Sequence, residues 1–342
     1  MRIRRMVAIT VDPTLSPKVA KHCSQQPRVV TQEIHGLIRV YKDGHVERPQ
    51  IVPCVTSNML APELGITSYD IVIDKVTAIW ARFYVPNSSG NKLPLLVYFH
   101  GGGFCVGSAA WSCYHDFLAR LAAKAGCIIM SVNYRLAPEN PLPAAYDDGI
   151  KALMWVKQQA TYSTRELWSS KCDFSNMFLA GDSAGANIAY NVVMRLNSSM
   201  ALGGIILIQP FFGGDARTHS EKYMVQPPHS ALSLETSDTY WRLSLPSGSN
   251  RDHPWCNPTA KGINKMEEMK KLSLPIMMCV SELDILKDRN LELCNALAMS
   301  GRKVECLMSK GVGHAFQVLS KSQISQTRAN EMISHVKAFI NR

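Results

Sequence analysis

From Leu93 onward the chain alternates short apolar runs with longer segments of helical period, and this alternation narrows the fold more than any other feature. The runs Leu93–Phe99, Cys127–Asn133, Asn176–Ala180 and Gly204–Gln209 have strand length, and helical patterns fall near Tyr114–Lys124, near Ala144–Gln159 and from Ala184. Strand-like runs recur at Ile276–Val280 and Val304–Met308. Parallel neighbours need crossover connections, so strands separated by helices predict a parallel sheet wound on both faces.

Ahead of this stretch, Ile34–Val46 alternates around Asp43-Gly44, a hairpin signal, and two further strands are expected at Tyr69–Val76 and Ile79–Val85. Residues 1–30 contain Pro13, Pro17 and Pro27 and show no period, which predicts a flexible arm. At 342 residues and 46% apolar content, with no repeat or low-complexity linker, the remainder (31–342) is read as one α/β domain. From about 211 to 258 the alternation stops. That insertion follows the sixth strand of the sheet and includes Phe211-Phe212, Pro227-Pro228, a helical stretch near Ser237–Leu243 with Tyr240 and Trp241, and Asp252-His253-Pro254-Trp255. Its place above the strand ends makes it a cap.

Gly181-Asp182-Ser183-Ala184-Gly185 sits where a strand-like run gives way to a helical one. A nucleophile elbow turns so sharply there that the residues two before and two after the serine must be small. Gly181 and Gly185 satisfy that demand. A bare G-x-S-x-G also occurs in ordinary tight turns, so the reading rests on its company. His100-Gly101-Gly102-Gly103-Phe104 closes the run Leu93–Phe99. Successive glycines leave backbone amides uncovered, able to face a developing negative charge. Gly102 and Gly103, with the amide of Ala184, are the expected oxyanion-hole donors. Ser183 is followed in the chain by Asp284, after Ile276–Val280, and by His314, after Val304–Met308. That is the order nucleophile, acid, base, with each residue at the end of a predicted strand, where loops at one sheet edge converge. Glu282 is the rival acid; Asp284 stands closer to the next helix start.

With HGGGF at 100–104, NYRLAPE at 133–139, PAAYDD at 143–148, GDSAGAN at 181–187 and GVGHAF at 311–316, the chain resembles the hormone-sensitive-lipase-type α/β-hydrolases, especially the plant carboxylesterases related to gibberellin receptors. The resemblance runs from about Glu33 to the C-terminus. It implies the α/β-hydrolase fold with an eight-stranded, mostly parallel sheet and a cap, and hydrolysis of small carboxylic esters without metal or organic cofactor. It carries Ser183 as nucleophile, His314 as base, Asp284 as the orienting acid, and Gly102, Gly103 and Ala184 as oxyanion donors. A receptor branch lacks the histidine that is present here. A third branch eliminates water from hydroxyisoflavanones and also tolerates serine at the nucleophile position.

Composition removes other classes. The net charge is +10, yet beyond Arg2–Arg5 the basic residues are scattered, without the patch a nucleic-acid partner requires. No stretch approaches the roughly 18 apolar residues of a membrane span. The partner expected is a small-molecule ester, with the oligomeric state open. Ten cysteines show no C-x-x-C pair and no regular spacing, so they are read as reduced thiols of a cytoplasmic protein, with the nucleus also open to it. The start MRIRRMVAIT has too short an apolar run for a signal peptide, but being acid-poor it leaves an organelle transit segment as the alternative. Cys105 follows the glycine loop and is read as an inert buried thiol, with the pocket border as the alternative; Trp111, Tyr114 and His115, further on, are candidates for the pocket lining, with a core role as the equal alternative. Arg135 and Glu139 are read as structural, Asp147 and Asp148 as helix-starting carboxylates.

Overall fold

The computed structural model describes residues 28–87, 90–162, 166–196, 201–226, 230–260 and 274–342. The expected arm at 1–30 lies almost wholly outside them, as do Pro227-Pro228. A small antiparallel sheet comes first: β1 (Val30–Ile34), β2 (Ile38–Tyr41) and β3 (Val46–Glu47). The hairpin at Asp43-Gly44 joins β2 to β3, with Gly44 at φ +82° where a side chain would strain the turn. A second hairpin, through His35-Gly36-Leu37, joins β1 to β2 and left no clear sequence signal.

The main sheet comprises β4 (Ile66–Asp74), β5 (Ile79–Pro86), β6 (Leu93–Phe99), β7 (Ile128–Asn133), β8 (Cys172–Asp182), β9 (Gly204–Ile208), β10 (Ile276–Ser281) and β11 (Val304–Ser309). These eight strands lie in the order β11-β10-β9-β8-β6-β7-β5-β4. β5 runs antiparallel to β4 and β7, and every other pairing is parallel. Helices Ser112–Ala125, Ala144–Tyr162, Ala184–Arg195 and Lys287–Met299 lie in the crossovers, and Gln323–Ile340 follows the last strand.

Strand alternation explains why both faces are covered. Val97, Phe99, Leu179 and Leu207 point to one side, against Leu153, Val156, Ile188 and Val192. Leu96, Tyr98, Ala180 and Ile206 point to the other, against Leu118, Leu121, Met332 and Val336. Burying each such side chain stabilises by about 2 kcal/mol, and a one-residue slip would send the whole set to the wrong helices. Order reverses beside β6: the chain steps to β7 on one side, then returns to place β8 on the other. A crevice opens beyond the strand ends at such a switch point. The glycine loop leaves β6 there and Ser183 leaves β8.

Candidate active site

Ser183 adopts φ +52°, ψ −120°, a conformation that costs a side-chain-bearing residue about 1 kcal/mol or more and persists only where its surroundings enforce it. They do. Its amide donates to the Ile208 carbonyl at 2.8 Å, and its own carbonyl accepts from Phe211 at 3.0 Å. A Cβ on Gly181 would stand 2.4 Å from the Gly185 carbonyl carbon, and one on Gly185 would stand 1.9 Å from the Phe99 carbonyl oxygen. The elbow is thus pressed directly onto the end of β6.

His314 Nε2 lies 2.8 Å from Ser183 Oγ, and His314 Nδ1 lies 2.7 Å from Asp284 Oδ2. A carboxylate only accepts, so Nδ1 carries the ring proton and Nε2 offers its lone pair to the serine hydroxyl. Asp284 is fully buried, and its other oxygen accepts from the Leu286 amide at 3.0 Å, which fixes the carboxylate plane. Burial of the ring works to lower the His314 pKa, but the charge and hydrogen bond of Asp284, with a contribution from Asp182, outweigh it and hold the pKa above 6.5. Glu282 turns away and accepts from the Gly311 amide at 2.8 Å.

The glycine loop passes through Gly102 at φ +116°, Gly103 at φ +58° and Phe104 at φ +64°. Among the described residues, the amides of Gly102, Gly103 and Ala184 donate to no protein acceptor. Space fixes the residue type as well: a Cβ on Gly103 would fall 2.2 Å from the Tyr240 ring. Beneath the loop lies Asp182, a buried carboxylate that accepts from Tyr98 at 2.8 Å, Tyr114 at 2.9 Å and the Gly101 amide at 3.1 Å. Burial pushes its pKa up to about 6 against the pull of those donors. His100 donates from Nδ1 to the Gly101 carbonyl at 2.8 Å, and burial lowers its pKa to about 4, which keeps it neutral.

These groups open onto a cavity of about 90 Å³ whose walls include Leu37, Ile51, Trp111, Phe211, Leu232 and Tyr240. Among the described residues, no lysine or arginine lines it. The expected cap contributes Phe211, Leu232 and Tyr240, while Phe212, Trp241 and Trp255 pack into the interior; Trp241, for example, stacks on Phe211 at 4.6 Å. Trp111 and Tyr114 reach the cavity as expected. His115 does not: it is buried 3.1 Å from the Tyr84 hydroxyl, outside the cavity lining. Cys105 is buried outside the cavity lining, where burial raises its thiol pKa strongly. Arg135 pairs with buried Asp148 at 2.6 Å, and Asp147 pairs with Arg195 at 2.9 Å.

Sequence reasoning missed four contributors. Leu37 and Ile51 come from the small sheet and the segment after it, far from the motifs in the chain. Gln209 accepts from the Ala315 amide at 2.6 Å and donates to Ser281 at 2.7 Å, so it braces the turn next to His314. Asp182 lay inside the serine motif, where its burial was the signal to look for.

A family model described as alpha/beta hydrolase fold matches residues 96–318. Probable carboxylesterase 6 of Arabidopsis thaliana is 51% identical over 320 residues, covering 91% of this chain and 92% of that protein. Carboxylesterase 20 of the same plant is 38% identical over 82% of this chain and 89% of its own length. A hyperthermophilic esterase from the archaeon Pyrobaculum calidifontis superposes with a TM-score of 0.66 at 26% identity, covering 79% of this chain and 83% of that one.

Proposed function

The chain belongs to the α/β-hydrolase family, grouping with its plant carboxylesterases, and on that premise we propose a serine carboxylesterase whose triad is Ser183, His314 and Asp284. One observation carries the reading of the site: a single imidazole bridges the serine hydroxyl at 2.8 Å and a buried carboxylate at 2.7 Å.

The ester carbonyl sits beside Ser183 with its oxygen toward the amides of Gly102, Gly103 and Ala184. As Ser183 Oγ attacks, its proton passes to His314 Nε2, and Asp284 stabilises the resulting imidazolium. The tetrahedral oxyanion gathers the three amides, each such donor contributing about 3 to 4 kcal/mol to the transition state. His314 then returns the proton to the departing alcohol. Water activated by the same ring cleaves the acyl-enzyme and releases the acid. The described residues of the wall are largely apolar, which favours uncharged esters with compact apolar groups. The segment 211–258 serves as the cap. The cytosol is the location carried forward, with organelle import as the alternative, and fractionation of the full-length chain decides between them.

Fluorophosphonate labelling of wild type and Ser183→Ala, followed by p-nitrophenyl esters of rising chain length, tests the proposal. Labelling confined to wild type and turnover of short esters are expected. Ligand binding with neither labelling nor turnover would instead mark a receptor, and loss of water from a hydroxylated ring with no acid product would mark a lyase.

A further inference from the structure

Arg48 lies just beyond β3, 135 positions before the serine, and its guanidinium touches three residues in two segments. Nε donates to the Cys105 carbonyl at 2.6 Å, one terminal nitrogen donates to the Ala137 carbonyl at 2.9 Å, and the fork closes on Glu139 at 2.7 and 2.5 Å. Cys105 belongs to the turn that shapes the oxyanion loop: its amide and that of Val106 both donate to the Gly102 carbonyl at 3.0 Å. Three consecutive residues there, Gly102, Gly103 and Phe104, have positive φ. Phe104 gains nothing from that conformation and must be held in it from outside. Its carbonyl accepts from the Ala137 amide at 2.9 Å, and the next carbonyl is the one Arg48 grips.

We propose that Arg48 is a positioning residue for ester hydrolysis: by gripping the Cys105 and Ala137 carbonyls it holds the Gly102 and Gly103 amides in line with the oxyanion. It also ties that loop to the stretch of chain that supplies Leu37 and Ile51 to the cavity wall. Glu139 fixes the guanidinium plane, and a planar fork with several donors does what a lysine ammonium cannot. This inference rests on the esterase reading for its kinetic consequence, but not for its structural one.

The test compares wild type, Arg48→Lys and Arg48→Ala in the full-length chain. With p-nitrophenyl acetate, kcat per titrated active site is expected to fall at least about tenfold in Arg48→Ala, with KM moving less than threefold and Arg48→Lys intermediate, because misaimed donors weaken the transition state and not the ground state. Millimolar guanidinium chloride is expected to restore part of the loss in Arg48→Ala, with sodium chloride as control. Amide hydrogen exchange across residues 101–107 reads the loop directly and is expected to quicken in both variants; Arg48→Lys serves if Arg48→Ala fails to fold. A kcat within twofold of wild type, or unchanged exchange at 101–107, overturns the proposal. If wild type proves inactive while exchange quickens in the variants, the loop assignment stands and the esterase reading falls.

Discussion

Gly185 under the elbow and Ile51 over the cavity stand at two extremes of packing. A single carbon added to Gly185 would meet the Phe99 carbonyl oxygen at 1.9 Å, whereas the Ile51 side chain is 50% exposed at the rim. Beneath Ser183, the elbow, β6 and β9 fix one another through backbone contacts. Above it, Leu37, Ile51, Leu232 and Tyr240 bring side chains from separate segments to the cavity wall. Reaction geometry therefore belongs to the floor and choice of substrate to the roof, since close packing tolerates one arrangement and a looser surface tolerates many.

The most severe break is chemical. Ser183→Ala should lower kcat by about 10⁴-fold or more, and Asp284→Asn by about 10⁴-fold through the wrong ring tautomer, both read as rates per folded molecule. Gly185→Ala tests the floor without touching the chemistry: the clash should destabilise the fold by more than about 3 kcal/mol, seen as a lowered denaturant midpoint. A Gly185→Ala protein as stable as wild type would erase the distinction between floor and roof.

The next effect is electrostatic. In the proposed mechanism the ring of His314 must be neutral, and its pKa is raised, so kcat/KM should fall on acidification with a midpoint above the ordinary imidazole value. Asp182 contributes to that elevation, so Asp182→Asn should move the midpoint toward acid. An unmoved acid limb would show that Asp284 alone sets the ring. Smallest is the roof: Ile51→Ala should alter KM for longer acyl esters by about threefold while kcat for acetate stays within twofold. A large loss of kcat in Ile51→Ala would mean that the roof, too, sets the reaction geometry.

The same contrast separates what the sequence disclosed from what it withheld. Strands buried on both faces and helices between them write their periods into consecutive residues, so β6 through β11 were legible, β8 only in its second half. The elbow demanded small residues two before and two after Ser183, and the oxyanion loop demanded bare backbone; both are local requirements that show as motifs. Glu282 and Asp284, two residues apart, were told apart in the sequence by nearness to the next helix start and by the family pattern, and in the structure by where their side chains turn. Leu37, Ile51, Arg48 and Gln209 act across long separations that no local period records. His115 packs instead against Tyr84 and Arg82 of β5, about thirty residues earlier in the chain, a long-range contact that no local pattern records. Helices of four or five residues, such as Leu167–Lys171 and Phe316–Leu319, are too short for a period to appear.

β11 is one of the two edge strands of the main sheet, paired on one side only among the described residues and partly exposed along most of its length, and the turn bearing His314 departs from its end. The proposed base therefore hangs from the margin of the sheet while the proposed nucleophile is anchored at its centre. Fraying begins at margins, where the fewest bonds must open. Mild urea should silence hydrolysis before the protein melts, leaving a chain whose fluorescence and circular dichroism still look native.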